Sequence, residues 1–308
     1  MYRIGMIVVL MLSMSVCGFA ESKLTPVADG IYAYVGASDP GPATAYGSNV
    51  GVIVGDNAIL VVDTLMSARG GQQIVDDIRA VSDKPIKWVV NTHHHGDHTL
   101  GNCVFARLGA CIVSQEDCLA QMKAEAKTAI EQVGTMLTAE ELAGTEVACP
   151  TVTFSKSMAI DLGGITVELS YPGPTHCAGS CLVYIPQRKV LLTGDMLFTG
   201  YHPYLGDGDI PNWTAVLDTI GKMGAERIIP GHGPVSSMKD IVEMKTYIGL
   251  FDKYAKELVK SAMQPVDAEA LAGQLKSKLP QRKYLDIMIG YNLQQKYLRQ
   301  DNSGADKK

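Results

Sequence analysis

The sequence predicts a mixed α/β domain in which strands and helices interleave. Three observations carry that expectation. Short β-branched runs recur behind turn signals, as in residues 50–54 and 59–63 around Gly55-Asp56-Asn57. Apolar residues at helical spacing separate some of these runs, as with Ile74, Ile78 and Val81 behind Ser67, a residue suited to capping a helix. The resulting order of strands, helix, strand, helix and strands again describes two similar halves, although no repeat is visible residue by residue.

Taken in order, residues 27–36 carry Ile31, Tyr32, Tyr34 and Val35 in loose alternation and read as a first strand. Residues 37–47 are rich in Gly, Pro and Ala and read as a loop. The hairpin over 50–63 follows, then the helix behind Ser67. Pro85 stops anything before the strand at residues 86–90. Residues 109–113 read as a short strand. Ser114 with Asp117 three residues on resembles the start of a capped helix, whose buried face is Leu119, Met122, Ala126 and Ile130. Residues 134–150 read as a further helix and a loop. Residues 152–160 and 165–171 flank Leu162-Gly163-Gly164 as a hairpin, and 182–185 with 189–193 form another at Pro186-Gln187. A helix over 213–223, a strand over 227–229 and the turn Gly231-His232-Gly233 come next. From about Ser237 the chain reads as helical. There Leu285, Ile289, Leu293 and Tyr297 lie four apart on one face, which is assigned to packing on the domain in preference to a dimer surface. Residues 300–308 are polar and read as a disordered tail.

The N-terminus reads as a secretory signal peptide. Arg3 is the only charge before Glu21, residues 4–16 are an apolar run of 13, and Gly18 and Ala20 suit the positions before a cleavage site. Thirteen residues are too few to span a bilayer, which takes about 20. Cleavage after Ala20 would leave one large domain over 21–299, with the helices of 237–299 packed on it, exported to the periplasm. No other stretch is long and apolar enough to cross a membrane. Without Arg3, 26 basic residues face 32 acidic ones, a net charge of −6. No basic block follows a phosphate backbone, which argues against nucleic acid and for a small-molecule substrate. Beyond Cys17 the chain holds Cys103, Cys111, Cys118, Cys149, Cys177 and Cys181, an even number that permits disulfides in an exported protein.

The chemistry concentrates in Asn91-Thr92-His93-His94-His95-Gly96-Asp97-His98-Thr99, which holds four of the seven histidines. An apolar strand leads into it. Residues two apart on extended backbone point the same way, so His93, His95 and Asp97 share a side and His94 turns away. Imidazole and carboxylate together suit zinc or another first-row divalent ion. His176, Asp195 and His232 are the downstream partners, each beside a glycine near an apolar run. Cys177 follows one of them directly and is expected to point away from the metal.

With those residues the chain resembles the metallo-β-lactamase superfamily. The motif His-x-His-x-Asp-His is matched by His93, His95, Asp97 and His98, and the later single ligands by His176, Asp195 and His232. The resemblance implies a four-layer αββα sandwich of two mixed sheets, with a two-metal site at one edge. By that assignment His93, His95 and His176 hold the first metal, Asp97, His98 and His232 the second, and Asp195 bridges them. Two divalent ions are implied, zinc first, with iron or manganese as alternatives. A bound zinc lowers the pKa of water from about 15.7 to about 7, which supplies hydroxide at neutral pH. Asp97 is the catalytic residue expected to orient it and to handle a proton. The implied reaction is hydrolysis of an ester, thioester, lactone or amide.

Departures within the superfamily narrow this. Some β-lactamases place a cysteine where Asp195 stands, so the carboxylate looks more like the glyoxalase II type, yet that family's substrate-binding tail is not identifiable in residues 237–308. Many acyl-homoserine lactonases carry a tyrosine where Phe198 stands. β-Lactamase activity is the first alternative. A mononuclear iron enzyme similar to persulfide dioxygenases is the second, and a metal-holding scaffold without turnover is the third. Residues 200–209 are dense in aromatic and polar groups close to Asp195. His202 within them is a candidate substrate contact, and residues 37–47 are a candidate substrate lid.

Overall fold

Alternating apolar positions on the strands have two faces to bury, and the chain buries them by stacking two sheets and covering each outer face with helices. In the computed structural model residues 23–36, 47–262 and 267–298 are described. The expected leader, residues 37–46 of the candidate lid and the polar tail lie outside them. Strands β1 (Thr25–Ala28), β2 (Ile31–Tyr34), β3 (Val50–Val54), β4 (Ile59–Val62), β5 (Ile86–Val90), β6 (Cys111–Gln115) and β7 (Val152–Phe154) form one sheet in sequence order. Its first four strands pair antiparallel and β4 to β7 pair parallel. Strands β8 (Ser157–Asp161), β9 (Thr166–Ser170), β10 (Leu182–Ile185), β11 (Val190–Phe198) and β12 (Arg227–His232) form the second sheet, in the order β12-β11-β10-β9-β8. Only β11 and β12 run parallel there.

The helices are α1 (Ala68–Arg79), α2 (Gly96–Thr99), α3 (Asn102–Arg107), α4 (Glu116–Glu125), α5 (Ala129–Val133), α6 (Ile210–Ile220), α7 (Met238–Ser261), α8 (Ala268–Lys276) and α9 (Ile287–Asn292), followed by a π-helical turn over Leu293–Tyr297. The layers follow from the period of two. Ile53, Leu60 and Val62 point inward against Val183, Val190 and Leu192 of the other sheet. Val50, Val52, Ile59 and Val61 point outward against Ile74 and Ile78 of α1 and Phe105 of α3. On the far side Leu191 and Ile228 meet Trp213 and Leu217 of α6, and the same cluster takes in Tyr247 and Phe251 of α7, Leu275 of α8 and Ile289 of α9. This is the four-layer sandwich, with the C-terminal helices packed onto it.

Several elements differ from the sequence expectation. Residues 27–36 are two strands, because Gly30 turns at φ 71° and returns the chain as a hairpin. Residues 152–160 also divide: β7 closes the first sheet and β8 opens the second. Gln115, not Ser114, caps α4, its side chain accepting from the Asp117 amide. The buried face of α4 is Cys118 and Met122, and the chain breaks before α5. No helix forms over residues 134–150. Helix α6 starts at Ile210 because Asp209 accepts a hydrogen bond from the Asn212 amide and Pro211 suits the first turn. Strand β11 continues past Asp195 to Phe198, with irregular pairing to β12 around Gly194. The C-terminal helix is interrupted over residues 277–286, and Leu285 sits at φ 63° outside any helix.

These connections bring one edge of both sheets together. The segment after β5, the β9–β10 loop, β11 and the end of β12 meet there. Asn49 binds that edge: its amide donates to Gly231 O at 2.7 Å, and its Nδ2 to Pro230 O at 2.9 Å and Gly233 O at 2.7 Å. Cys181 N donates to Thr92 O at 2.8 Å from the opposite side.

Candidate metal centre

All seven expected ligands converge at this edge. The segment after β5 is fixed by Asn91 and Asn102, whose side-chain amides donate to each other at 3.0 and 2.8 Å. His95 precedes α2 with extended backbone, so Asp97 and His98 lie on the first turn of that helix. His93, His95, His176 and Asp195 offer ligand atoms within 4.8 Å of one another, and Asp97, His98 and His232 form a second such set. Asp195 faces both. Its Oδ2 lies 3.4 Å from His176 Nε2 and 3.7 Å from His93 Nε2. Its Oδ1 lies 3.1 Å from His98 Nε2 and 3.4 Å from His232 Nε2. Asp97 Oδ2 lies 3.2 Å from His232 Nε2 and 3.4 Å from His98 Nε2.

The donor geometry fits bound cations. His95 Nδ1 sits 3.1 Å from His93 Nε2 and 3.0 Å from His176 Nε2, a convergence that one proton cannot satisfy on three imidazoles. A tetrahedral centre with metal–nitrogen distances of about 2.0–2.1 Å separates its nitrogens by about 3.3 Å. Between the two sets His98 Nε2 and Asp195 Oδ1 are buried 3.1 Å apart, and no well-aligned hydrogen bond satisfies either. Buried polar atoms are ordinarily satisfied, so a site that leaves these aimed at one another lacks a group that would satisfy them.

The two sets differ electrostatically. Burial, with the neighbouring imidazoles, holds His93 well below the ordinary histidine value, and burial takes His176 down to about 3. Burial also opposes charge on His98 and His232, but Asp195 and Asp97 outweigh it. His98 is raised well above its ordinary value, and His232 to about 9. Burial works against ionised Asp195 and Asp97 as well, and the surrounding histidines reverse it, so both carboxyls are held low.

Outside the seven, two carboxylates sit behind candidate ligands. Asp63 Oδ2 lies 2.8 Å from His98 Nδ1, and the Asp63 carboxylate accepts from Thr92 N at 2.8 Å and Thr92 Oγ1 at 2.7 Å. Its backbone sits at φ 62°, an uncommon conformation for aspartate that persists where surrounding structure demands it. Asp207 Oδ2 lies 3.2 Å from His95 Nε2, and that contact, ahead of other causes, lowers its pKa to about 2. A carboxylate behind a ligating histidine fixes its tautomer and ring orientation. Sequence reading missed both roles: Asp63 only closed a β-branched run, and Asp207 lay unremarked in the dense segment after Asp195.

The remaining expectations resolve individually. His94 turns from the seven, with Nε2 3.3 Å from Glu125 Oε1, although it forms a further potential ligand set with His95 and Asp207. Cys177 is buried with Sγ 3.2 Å from Ser180 Oγ and belongs to neither site. Among the described residues all six cysteines are free. His202 is not gathered into either ligand set: it is only 2% exposed, its Nδ1 lies 2.6 Å from Tyr247 Oη and its Nε2 3.0 Å from Asp286 Oδ1, facing α7 and the segment before α9. Phe198 stacks on His232 with ring centroids 4.9 Å apart.

Comparison with known proteins agrees with this fold. The linear primary-alkylsulfatase of a Pseudomonas species is 26% identical over 63% of this chain and 43% of its own length. The alpha subunit of the 2,4-dinitroanisole O-demethylase of a Nocardioides species is 29% identical over 58% of this chain and 51% of its own. The chain thus spans about half the length of the curated relatives it matches. Among solved structures, a metallo-beta-lactamase from Pontibacter korlensis superposes with a TM-score of 0.60 at 20% identity, covering 73% of this chain and 98% of that one. The DIM-1 metallo-beta-lactamase gives 0.58 at 19% identity over 75% of this chain and 98% of that one. At such identities these structures speak for the fold. Residues 43–232, which include every proposed ligand, match the model of the Metallo-beta-lactamase superfamily, and the chain belongs to that superfamily.

Proposed function

We propose that this protein is an exported two-metal hydrolase, zinc first among its metals, that cleaves an ester, thioester, lactone or amide of a small molecule. The observation that carries the reading is Asp195, whose two oxygens face the two ligand sets separately. A carboxylate so placed suits two ions at fixed spacing, and the imidazole-rich donors suit zinc or another first-row divalent ion. When bound, such a pair would activate water and polarise the substrate's carbonyl. Asp97 is ionised, 20% exposed, and anchored through one oxygen to His98 and His232. Its other oxygen is available to orient water and take up a proton. Asp63 and Asp207 keep His98 and His95 in the ligating tautomer.

Both curated relatives carry names for chemistry on alkyl–oxygen groups, which favours oxygen esters, alkyl sulfates included, over β-lactams. The test is kcat/KM on one metal-analysed preparation for activated esters, thioesters, lactones, an alkyl sulfate and a chromogenic cephalosporin. The ester group is expected to lead. A cephalosporin ahead by tenfold, about 1.4 kcal/mol of transition-state preference, would give first place to a β-lactamase. Iron dependence with oxygen consumption would instead indicate the dioxygenase reading.

A further inference from the structure

We infer that His94, Glu125 and Asp207 form a third divalent-cation site on the exposed side of the metal centre, and that an ion held there restrains turnover. The inference goes beyond the hydrolase reading. It rests on that reading at one point, that His95 gives its Nδ1 to the first ion.

Three separate stretches of chain build the site. His94 and His95 follow β5 with ring centroids 4.4 Å apart, Glu125 ends α4, and Asp207 lies between β11 and α6. His94, His95 and Asp207 place ligand atoms within 4.8 Å of one another. His94 Nε2 lies 3.3 Å from Glu125 Oε1, and His95 Nε2 lies 3.2 Å from Asp207 Oδ2. Charge-assisted hydrogen bonds between nitrogen and carboxylate run to about 2.7–2.9 Å. The Asp63 contact with His98, at 2.8 Å, is one of them. The two outer contacts are longer, and match the separation of about 3.3 Å between neighbouring donors of a tetrahedral centre. One imidazole and two carboxylates suit zinc or another first-row divalent ion.

Glu125 adds an independent sign. As the last residue of α4 it sets a carboxylate at the negative end of a helix, where cations are favoured and anions are not. Residues that break such a local rule concentrate at functional sites. Exposure separates the outer set from the inner ones. The Glu125 and Asp207 side chains are each 45% exposed, whereas those of His93, His98, His176, His232 and Asp195 are 5% or less. The outer ion is therefore the weaker one and fills last.

His95 couples the outer ion to the inner pair. With Nδ1 on the first ion, its Nε2 carries a proton that Asp207 Oδ2 accepts. The other oxygen of Asp207 accepts from Tyr204 Oη at 3.2 Å, so Oδ2 is the one that an outer ion would claim. Binding there takes from His95 the carboxylate that orients its ring. His94 and Glu125 supply nothing to the inner sets, so they can be altered separately.

The experiment dialyses the protein against rising free zinc, counting bound metal and measuring ester turnover at each step. The parent should take up a third, weaker ion. As it fills, kcat/KM should fall about tenfold, the effect of losing a carboxylate behind a ligating histidine. His94→Ala and Glu125→Gln should keep two tight ions and parental turnover at low zinc. They should bind the third ion about tenfold more weakly and escape the inhibition over the same range. No third ion in the parent would overturn the site. So would a third ion bound equally by both variants, which would then be an adventitious ion only. A third ion lost in the variants but without effect on parental turnover would overturn the restraint. Two ions in all, one of them lost in both variants, would uphold the outer site and reject the two-metal reading of the inner one.

Discussion

A methyl group on Gly231 would lie 1.9 Å from Asp195 Oδ1 and 2.8 Å from the Asp195 amide nitrogen. Gly231→Ala must therefore push aside the carboxylate that faces both ligand sets. About one metal per chain and most activity should be lost, as metal analysis and ester assay would show; two retained metals would contradict the role given to Asp195. Alternation along the β5 exit sets a second expectation. His94→Ala should keep both metals, whereas His95→Ala should lose the first, and equal loss in both would refute it. Protonation separates the sites further. His98 and His232 are raised by their carboxylates, so they carry protons that a cation must displace, while His93 and His176 are already neutral. Metal uptake at the second set should release protons and weaken as pH falls from about 9, with little release at the first; calorimetry in buffers of different ionisation enthalpy separates the two. The seven candidate ligands were legible because their residue types, spacing and glycine neighbours coincide. Asp63 and Asp207 were not, since a lone carboxylate beside a strand or in a loop has no local pattern that names its partner.

At the level of elements, regular periodicity and the turns between paired strand runs were readable, and breaks within an apolar run were not. Strands β3 and β4 came directly from β-branched runs around a turn signal, and the helix behind Ser67 from capping and helical spacing. The passage between sheets at Ser155 and Lys156 carries no glycine or proline, so β7 and β8 looked like one strand. The ends of the C-terminal helices were equally hidden, although they matter for the site. Through Asn292 the chain after α8 clamps the segment that carries Tyr204 and Asp207, and Lys296 Nζ adds a bond to Gly208 O at 2.5 Å. Asn292→Ala leaves the Leu205 amide without that acceptor in a buried setting, a loss of about 1–3 kcal/mol. The variant should melt earlier and, because Asp207 loses its support behind His95, bind its first metal more weakly. A lowered melting temperature with unchanged metal affinity would show that the clamp serves the fold alone.

For the whole molecule, the layers are predictable from patterning, but their attachment depends on contacts far apart in sequence. His202 is the clearest. It follows β11 and is buried against Tyr247 of α7 and Asp286 ahead of α9, so one ring joins the second sheet to two parts of the helical layer. Burial lowers its pKa to about 4, with Arg282 and Lys276 acting in the same direction and Asp286 against it. Above about pH 6.5 the histidine is neutral in folded and unfolded chains and contributes no pH dependence. Between about 6.5 and 4 the unfolded chain takes up a proton that the folded chain resists, so stability falls as pH falls through that window. The shift sets a ceiling of about 3 kcal/mol. The realised loss is smaller, because the Asp286 side chain is 54% exposed and water screens the charge that forms beside it. Denaturant titrations of the metal-loaded protein across this range should give a steeper decline for the parent than for His202→Gln, a difference approaching one proton. Identical pH profiles would mean that the ring takes up its proton as readily in the folded chain as in the unfolded one, and the lowered pKa assigned to its burial would be wrong.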